Sequence, residues 1–163
     1  MVITENVFML SDLTEPDLAT RCATEEDLPV LFELHRTVFR SHIEEIWGWD
    51  EDWQRQRFRE EFAESETTAV LSAGQTVGYV QVVVEADQLL LRNIALHPDA
   101  QGQGLGAKLV EELMVRANRR DLPIVLGVFR TNPGAVAFYE RLGFVRSGET
   151  ETHVRMERAP GQR

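Results

Sequence analysis

The sequence predicts an α/β domain of three layers, a single mixed sheet with helices on both faces. Three observations lead there. Apolar residues recur at spacings of three and four in four separate stretches. Short β-branched runs bounded by turn signals lie between those stretches. The two patterns alternate along 163 residues, a length that fits one domain with a core of its own. Nothing repeats internally. The expected organisation is one domain over residues 18–158, with 1–17 as an N-terminal extension and 158–163 as a loose end.

The segment TEEDLPVLFELHRTVF opens the helical part. Thr24 is placed to cap it, with Asp27 at the third helical position standing in for the Glu of a capping box. Leu28, Leu31, Phe32, His35 and Phe39 line one face, and Pro29 falls early enough to cost at most a first-turn hydrogen bond. After HIEEIWGW a second helix starts near Asp50 and runs through Gln54 and Phe58 to Phe62. The period then changes: TTAVLSAGQTVGYVQVVV reads as two strands around AGQT, and QLLLRNIAL as a third. From Gly104 to Arg119 the helical period returns, with Leu105, Leu109, Leu113 and Ala117 four apart. PIVLGVF is a short buried strand. Asn132 and Pro133 supply a cap and a first-turn proline for AVAFYERL, which Gly143 can end. FVRSGET and THVRMER close the chain as an antiparallel pair.

Composition removes several functions. Cys22 is the only cysteine, which excludes an internal disulfide and a Cys-rich metal site. No apolar run approaches the roughly 18 residues of a spanning helix, and the N-terminus lacks a basic lead, so the expected location is cytoplasmic, with no membrane partner. A formal charge of -10 argues against nucleic acid as the main partner. The charge is uneven: Thr24 to Glu66 carries an acidic excess, readable either as solvated helix faces or as a wall that attracts a cationic substrate.

Gly102, Gly104 and Ala107 formally satisfy G-x-G-x-x-G/A, a dinucleotide fingerprint. HPDAQ, however, separates the loop from its strand, two helices and a hairpin come first, and Asp121 precedes the next strand instead of ending it. Nor is there the Gly-Lys-Ser/Thr ending of a P-loop. What remains is an anion cradle of another kind, with the amides of residues 101–106 leading into a helix N-terminus. The alternative is a turn that needs glycine only for its dihedrals.

LRNIALHPDAQGQGLGAKLVEELM followed by PIVLGVFRTNPGAVAFYERLGF resembles the GNAT superfamily of N-acetyltransferases, in its small bacterial-type single-domain form. The resemblance covers residues from about 20 to 157. The family loop, Gln/Arg-x-x-Gly-x-Gly/Ala, is met by Gln101, Gly104 and Gly106; the second block is met by Asn132, Ala135, Phe138, Tyr139, Glu140, Gly143 and Phe144. The resemblance implies a mostly antiparallel sheet splayed at its centre, and acetyl-CoA as cofactor. It places the CoA diphosphate on Gln101, Gly102, Gln103, Gly104, Leu105, Gly106 and Ala107. The pantetheine falls along Ile94, Ala95 and Leu96, with Asn132, Ala135, Phe138 and Tyr139 alongside. Asn132 is a cofactor contact or only a helix cap.

Acyl transfer to an amine needs a neutral amine, a stabilised oxyanion and a proton for the departing thiolate. The resemblance makes Tyr139 the acid and the Leu96 amide the oxyanion donor. Many relatives carry a strand glutamate as base; the matching position here is Arg92, which leaves Glu45, Asp50 and His153 as substitutes, with Glu45 the foremost. His35 reads as a core histidine and His97 as ordinary loop. The acceptor is expected against Glu45, Trp47, Trp49, Asp50, Gln54 and His153, since tryptophans among carboxylates suit an ammonium ion. WGWD between the first two helices, with Thr152-His153 on a late strand, also resembles a branch of small bacterial members.

The expected function is therefore acetyl-CoA-dependent N-acetylation of a small-molecule primary amine. A protein or peptide acceptor is the alternative enzyme; a non-catalytic CoA-binding regulatory domain is the alternative of another class. An unpaired late strand leaves room for a homodimer.

Overall fold

A computed structural model describes residues 14–15 and 18–161. The N-terminal extension expected over 1–17 therefore lies outside the described residues, apart from Thr14 and Glu15. These form a two-residue strand, β1, which pairs with β2, Leu18–Cys22. Helices α1 (Leu28–Trp47) and α2 (Glu51–Glu64) follow. Then come β3 (Glu66–Ser72), β4 (Gln75–Val84), β5 (Leu89–Leu96), α3 (Leu105–Arg119) and β6 (Ile124–Phe129). Helix α4 (Pro133–Arg141) and strands β7 (Val145–Glu149) and β8 (His153–Arg158) complete the domain. The sheet order is β1-β2-β3-β4-β5-β6-β8-β7, antiparallel at every junction but β5–β6.

Three boundaries differ from the sequence expectation. Strand β2 was not expected; only Leu18 and Thr20 of its five residues are buried, so its apolar signal is too thin to read. Arg158 ends β8 as a buried residue and is no loose end. Helix α1 continues through HIEEIW, because Phe39, Ile43 and Trp47 keep the four-residue spacing and no breaker intervenes before Gly48, whose φ of 83° ends it. Other local signals hold. The Thr24 N–H donates to Asp27 Oδ2 at 2.8 Å, Asp50 Oδ1 accepts from the Trp53 amide at 3.0 Å, and Gly143 turns the chain after α4 at φ 92°.

The two faces of the sheet carry separate cores. Leu31, Phe32, Leu34 and Phe58 of α1 and α2 pack on Tyr79 and Ala95. On the other face Leu105, Leu109, Leu113 and Ala117 of α3 and Val136 and Tyr139 of α4 pack on Val80, Leu89, Leu91 and Leu126.

At the centre the sheet opens. Strand β5 stays paired with β4 as far as Leu96, and β6 with β8 as far as Phe129, yet β5 and β6 pair only at Leu89↔Ile124 and Leu90↔Val125. Beyond Leu90 the two strands part, which is the expected splay. A β-bulge sits in the same place: Val82 faces Leu91 and Gln81 faces Asn93, so Arg92 is the extra residue. Arg92 and Asn93 consequently both turn toward α1 and α2, whereas Ile94 and Leu96 pack with the α3 core. Gly78 makes the β4–β5 contact possible here. A Cβ on it would stand 2.4 Å from the Ala95 carbonyl oxygen and 2.6 Å from Leu96 Cδ2.

Candidate active site

The splay separates two cavities. The one on the α3–α4 side has a volume of about 690 Å³ and is lined by Ile94 and Leu96 of β5 and by the glycine loop at Gln101, Gly102, Gly104, Leu105, Gly106 and Ala107. Asn132, Ala135, Phe138 and Tyr139 form its other wall. Gly102 and Gly104 have φ of 76° and 80°, the left-handed region that favours glycine, and a Cβ on either would meet nothing within 4 Å. The loop thus needs glycine for its turn and leaves free space in front of its backbone. Gly104 precedes α3 and its carbonyl accepts from Lys108 N at 3.1 Å, so the amides of the first turn have no intrahelical partner. This is a helix N-terminus suited to an anion.

Several expected cofactor residues have more specific placements. The Gln101 side chain donates to the Leu96 carbonyl at 2.9 Å, tying the loop to the end of β5. Gln103 donates to the Asp99 carbonyl and does not line the cavity. Ala95 is buried on the opposite face, against Tyr79, so only its backbone is left for a ligand. Asn132 does cap α4, accepting from the Ala135 amide at 3.2 Å, and it also lines the cavity. Tyr139 is buried with its ring edge-on to Phe138 and Phe144. Burial pushes its hydroxyl above the ordinary tyrosine range, so it holds its proton at neutral pH.

The second cavity, about 640 Å³, lies beneath α1 and α2. Val38 and Phe39, neighbours on α1, line one cavity each, as do Ile94 and Asn93 on β5. Trp47, Trp53, Phe129 and His153 wall it, and His35, Gln54, Arg57, Glu61, Arg92 and Asn93 supply its polar lining. The rings of Trp47 and Phe129 meet edge to face at 6.2 Å, and Trp47 lies 6.2 Å from His153. His153 shares a 2.8 Å hydrogen bond with Thr152 Oγ1, and burial lowers its pKa, keeping the ring neutral. His35 is a buried histidine, as expected, bonded through Nε2 to Gln54 Oε1 at 3.2 Å. It also borders the cavity, which its core spacing did not foretell. Thr67, Gln81 and Asn93, cross-strand neighbours on β3, β4 and β5, form a polar row under the cavity. Gln81 donates to Thr67 at 3.3 Å and Asn93 to Gln81 at 2.9 Å.

Two expected acceptor residues lie elsewhere. Because α1 runs unbroken to Trp47, Glu45 falls on the helix face opposite Ile43 and Trp47, exposed and outside the cavity. Trp49 packs on Phe32 and His35 and donates to Glu51 Oε2 at 2.7 Å, also outside. Trp47, Asp50, Gln54 and His153 do come together. The acidic excess is mostly spent on helix surfaces, in pairs such as Arg55–Glu51, Arg57–Glu60 and Arg36–Glu51. Two carboxylates line the cavity, Asp50 at its exposed rim and Glu61 further in, with two guanidiniums, Arg57 and Arg92. Sequence reasoning missed Glu61. The signal was present: it lies three residues past Phe58 and seven past Gln54, on the buried side of α2.

The residue pattern of the Acetyltransferase (GNAT) family matches residues 28–144. The chain belongs to this family. Among GNAT relatives, it is 42% identical over 67 residues to the 5-NmdU N-acetyltransferase of Pseudomonas phage PaMx11, covering 41% of this chain and 46% of that one. It is 39% identical over 72 residues to the [ribosomal protein bS18]-alanine N-acetyltransferase of Escherichia coli (strain K12), covering 44% and 49%. The chain thus spans about half the length of these relatives. The fold also matches the PaiA N-acetyltransferase from Thermoplasma acidophilum in complex with coenzyme A. There the TM-score is 0.71 at 19% identity, over 87% of this chain and 98% of that one.

Acetyl-CoA is the GNAT cofactor, and the first cavity fits it. Open space stands before Gly102 and Gly104 for a diphosphate, and the β5 edge freed by the splay offers unpaired backbone to an amide-bearing chain.

Proposed function

We propose that this protein acetylates a primary amine of a small molecule, with acetyl-CoA held in the cavity of the glycine loop. The observation that carries the small-molecule reading is the second cavity, walled by Trp47, Trp53, Phe129 and His153 and bordered by α1 and α2. A peptide would favour an open groove along β5.

Acetyl-CoA bound there supplies an activated thioester. The amides of residues 101–106 hold its diphosphate, and the β5 backbone from Ile94 to Leu96 orients its amide-bearing arm. The Leu96 amide donates to the thioester oxygen, where negative charge develops. Tyr139, protonated at neutral pH, gives its proton to the leaving sulfur. The aromatic walls exclude water and hold the amine's substituent, while Asp50 attracts the ammonium at the rim.

A second reading, acetylation of a protein amino group, draws on the similarity to the bS18-alanine enzyme. One screen separates the two: acetyl-CoA turnover with phenethylamine, tyramine, agmatine, free amino acids and alanine-leading peptides. Turnover of the small amines at ten times the peptide kcat/KM or better is expected. Turnover of peptides alone would sink the small-molecule reading. Asp50→Asn keeps the helix cap and removes the charge, so cationic acceptors should lose only about 2- to 5-fold, the usual range for a rim carboxylate.

A further inference from the structure

We propose that Glu61, on α2, takes the proton from the acceptor's ammonium and so supplies the carboxylate that β5 lacks at Arg92. This rests on the cavity beneath α1 and α2 being the place where the amine binds.

Of the other candidates one lies outside the cavity, and two line it in exposed or already bonded positions. Glu45 points away from the cavity, and Asp50 is an exposed helix cap. His153 is neutral, but its Nδ1 is engaged by Thr152 and it stands on the β6–β8 wall. Glu61 lines the interior with its side chain only 20% exposed.

Its surroundings hold it in place without discharging it. Arg57, one turn earlier on α2, approaches Glu61 Oε1 with Nε at 3.2 Å. Asn93 reaches it from β5, itself fixed by the row through Gln81 to Thr67. The guanidinium of Arg92 is largely engaged with the end of α2. Its Nη1 lies 3.1 Å from Ser65 Oγ and 3.5 Å from both the Glu61 carbonyl and Glu64 Oε2. Below, the Tyr79 hydroxyl is fully buried and has no hydrogen-bond partner among the described residues. The charged and titratable groups around Glu61 are therefore Arg57 and Glu64 on α2, Arg92 on β5 and Tyr79 on β4. Burial outweighs the two arginines and lifts the Glu61 carboxyl above the ordinary glutamate range. A carboxylate whose hold on a proton is strengthened by burial is suited to accept one.

An N–H bond of the ammonium breaks and the proton joins a Glu61 oxygen. The freed lone pair forms the C–N bond to the acetyl carbon, and the C–S electron pair leaves with sulfur. Sulfur takes the Tyr139 proton. A second proton leaves nitrogen and restores Tyr139 through water, while Glu61 returns the first to solvent. The products are the amide, the thiol and one proton.

The test is the pH profile of kcat/KM for the wild type, Glu61→Gln and Glu61→Asp, with saturating acetyl-CoA and phenethylamine. If the amine screen fails, the best peptide acceptor replaces phenethylamine, so loss of the small-molecule reading leaves Glu61 testable. Glu61→Gln should lower kcat/KM by roughly 10² and remove the wild-type acidic limb, with CoA affinity unchanged by calorimetry. Retention of that limb with kcat/KM within threefold of wild type overturns the proposal. If the Gln variant loses CoA binding or melts early, the Asp variant decides. An acidic limb at reduced rate supports the role, and a flat profile refutes it.

Discussion

The ring of His153 lies 4.8 Å from that of Phe129, its cross-strand partner, and the pair closes the cavity beneath α1 and α2 on the β6–β8 side. Trp47 reaches over both from the end of α1 and remains 60% exposed, so little of the core depends on it. Trp47→Ala should raise the acceptor KM about 3- to 30-fold, the range of a cation–π contact together with lost apolar cover, and leave the melting temperature nearly unchanged. Steady-state kinetics with unaltered KM would remove Trp47 from the site.

Gly104→Asp should weaken CoA binding at least about tenfold. A side chain at φ 80° is strained, and its negative charge would face the diphosphate at a helix N-terminus. Calorimetry on the folded variant checks this. Unchanged affinity would contradict the loop assignment.

Tyr139→Phe keeps the ring between Phe138 and Phe144 and removes the donor. We expect kcat to fall by roughly 10² with CoA affinity preserved. Normal turnover in stopped-time assays would leave Tyr139 a packing residue.

Gly78→Ala should destabilise the domain by about 1–3 kcal/mol, because the added methyl meets the Ala95 carbonyl, a backbone atom that cannot swing aside. Thermal melting measures the loss. An unshifted transition would mean that β4 and β5 separate easily at this point.

Acidification should lower stability through His35. Burial lowers its native pKa below the unfolded value of about 6.5, so the unfolded chain binds the proton more readily. The stability involved is complete above that value and is lost as pH falls through it toward the native pKa. His153, lowered by burial as well, acts with the same sign. Asp27 works in a lower window: hydrogen-bonded by Arg21, its carboxyl titrates at about 2, so its contribution is lost only below about pH 4. Melting temperatures at pH 7.5 and 5.5 should differ in the wild type and differ less in His35→Gln. An equal drop in both would assign the effect elsewhere.

Features governed by nearby residues were legible in the sequence. The Asn132 cap, the glycine turn at 102–104 and the α3 face at Leu105, Leu109, Leu113 and Ala117 each need only their neighbours, and each stands as expected. Features set by distant partners were not. Nothing in LLLRNIAL marks Arg92 as the bulged residue, because the bulge is defined only by pairing with Gln81 and Val82. The missing strand carboxylate could be seen at its own position, whereas the carboxylate brought near from α2 showed only as a spacing from Gln54 and Phe58, which gains its meaning once β5 is laid under it. Glu45 was misplaced for a local reason, a helix that ran eight residues further than its apolar run suggested.

Arg92 is a supernumerary side chain. The ladder from Leu91 to Asn93 would close up as regular pairing without it, and Ile94 and Leu96 would still face the α3 core. Position 92 is therefore a degree of freedom for the cavity beneath α1 and α2 and for the end of α2 that Arg92 touches. Substitutions there change charge and shape in the cavity beneath α1 and α2, while Ile94, two residues further along, faces the other cavity across the thickness of the sheet.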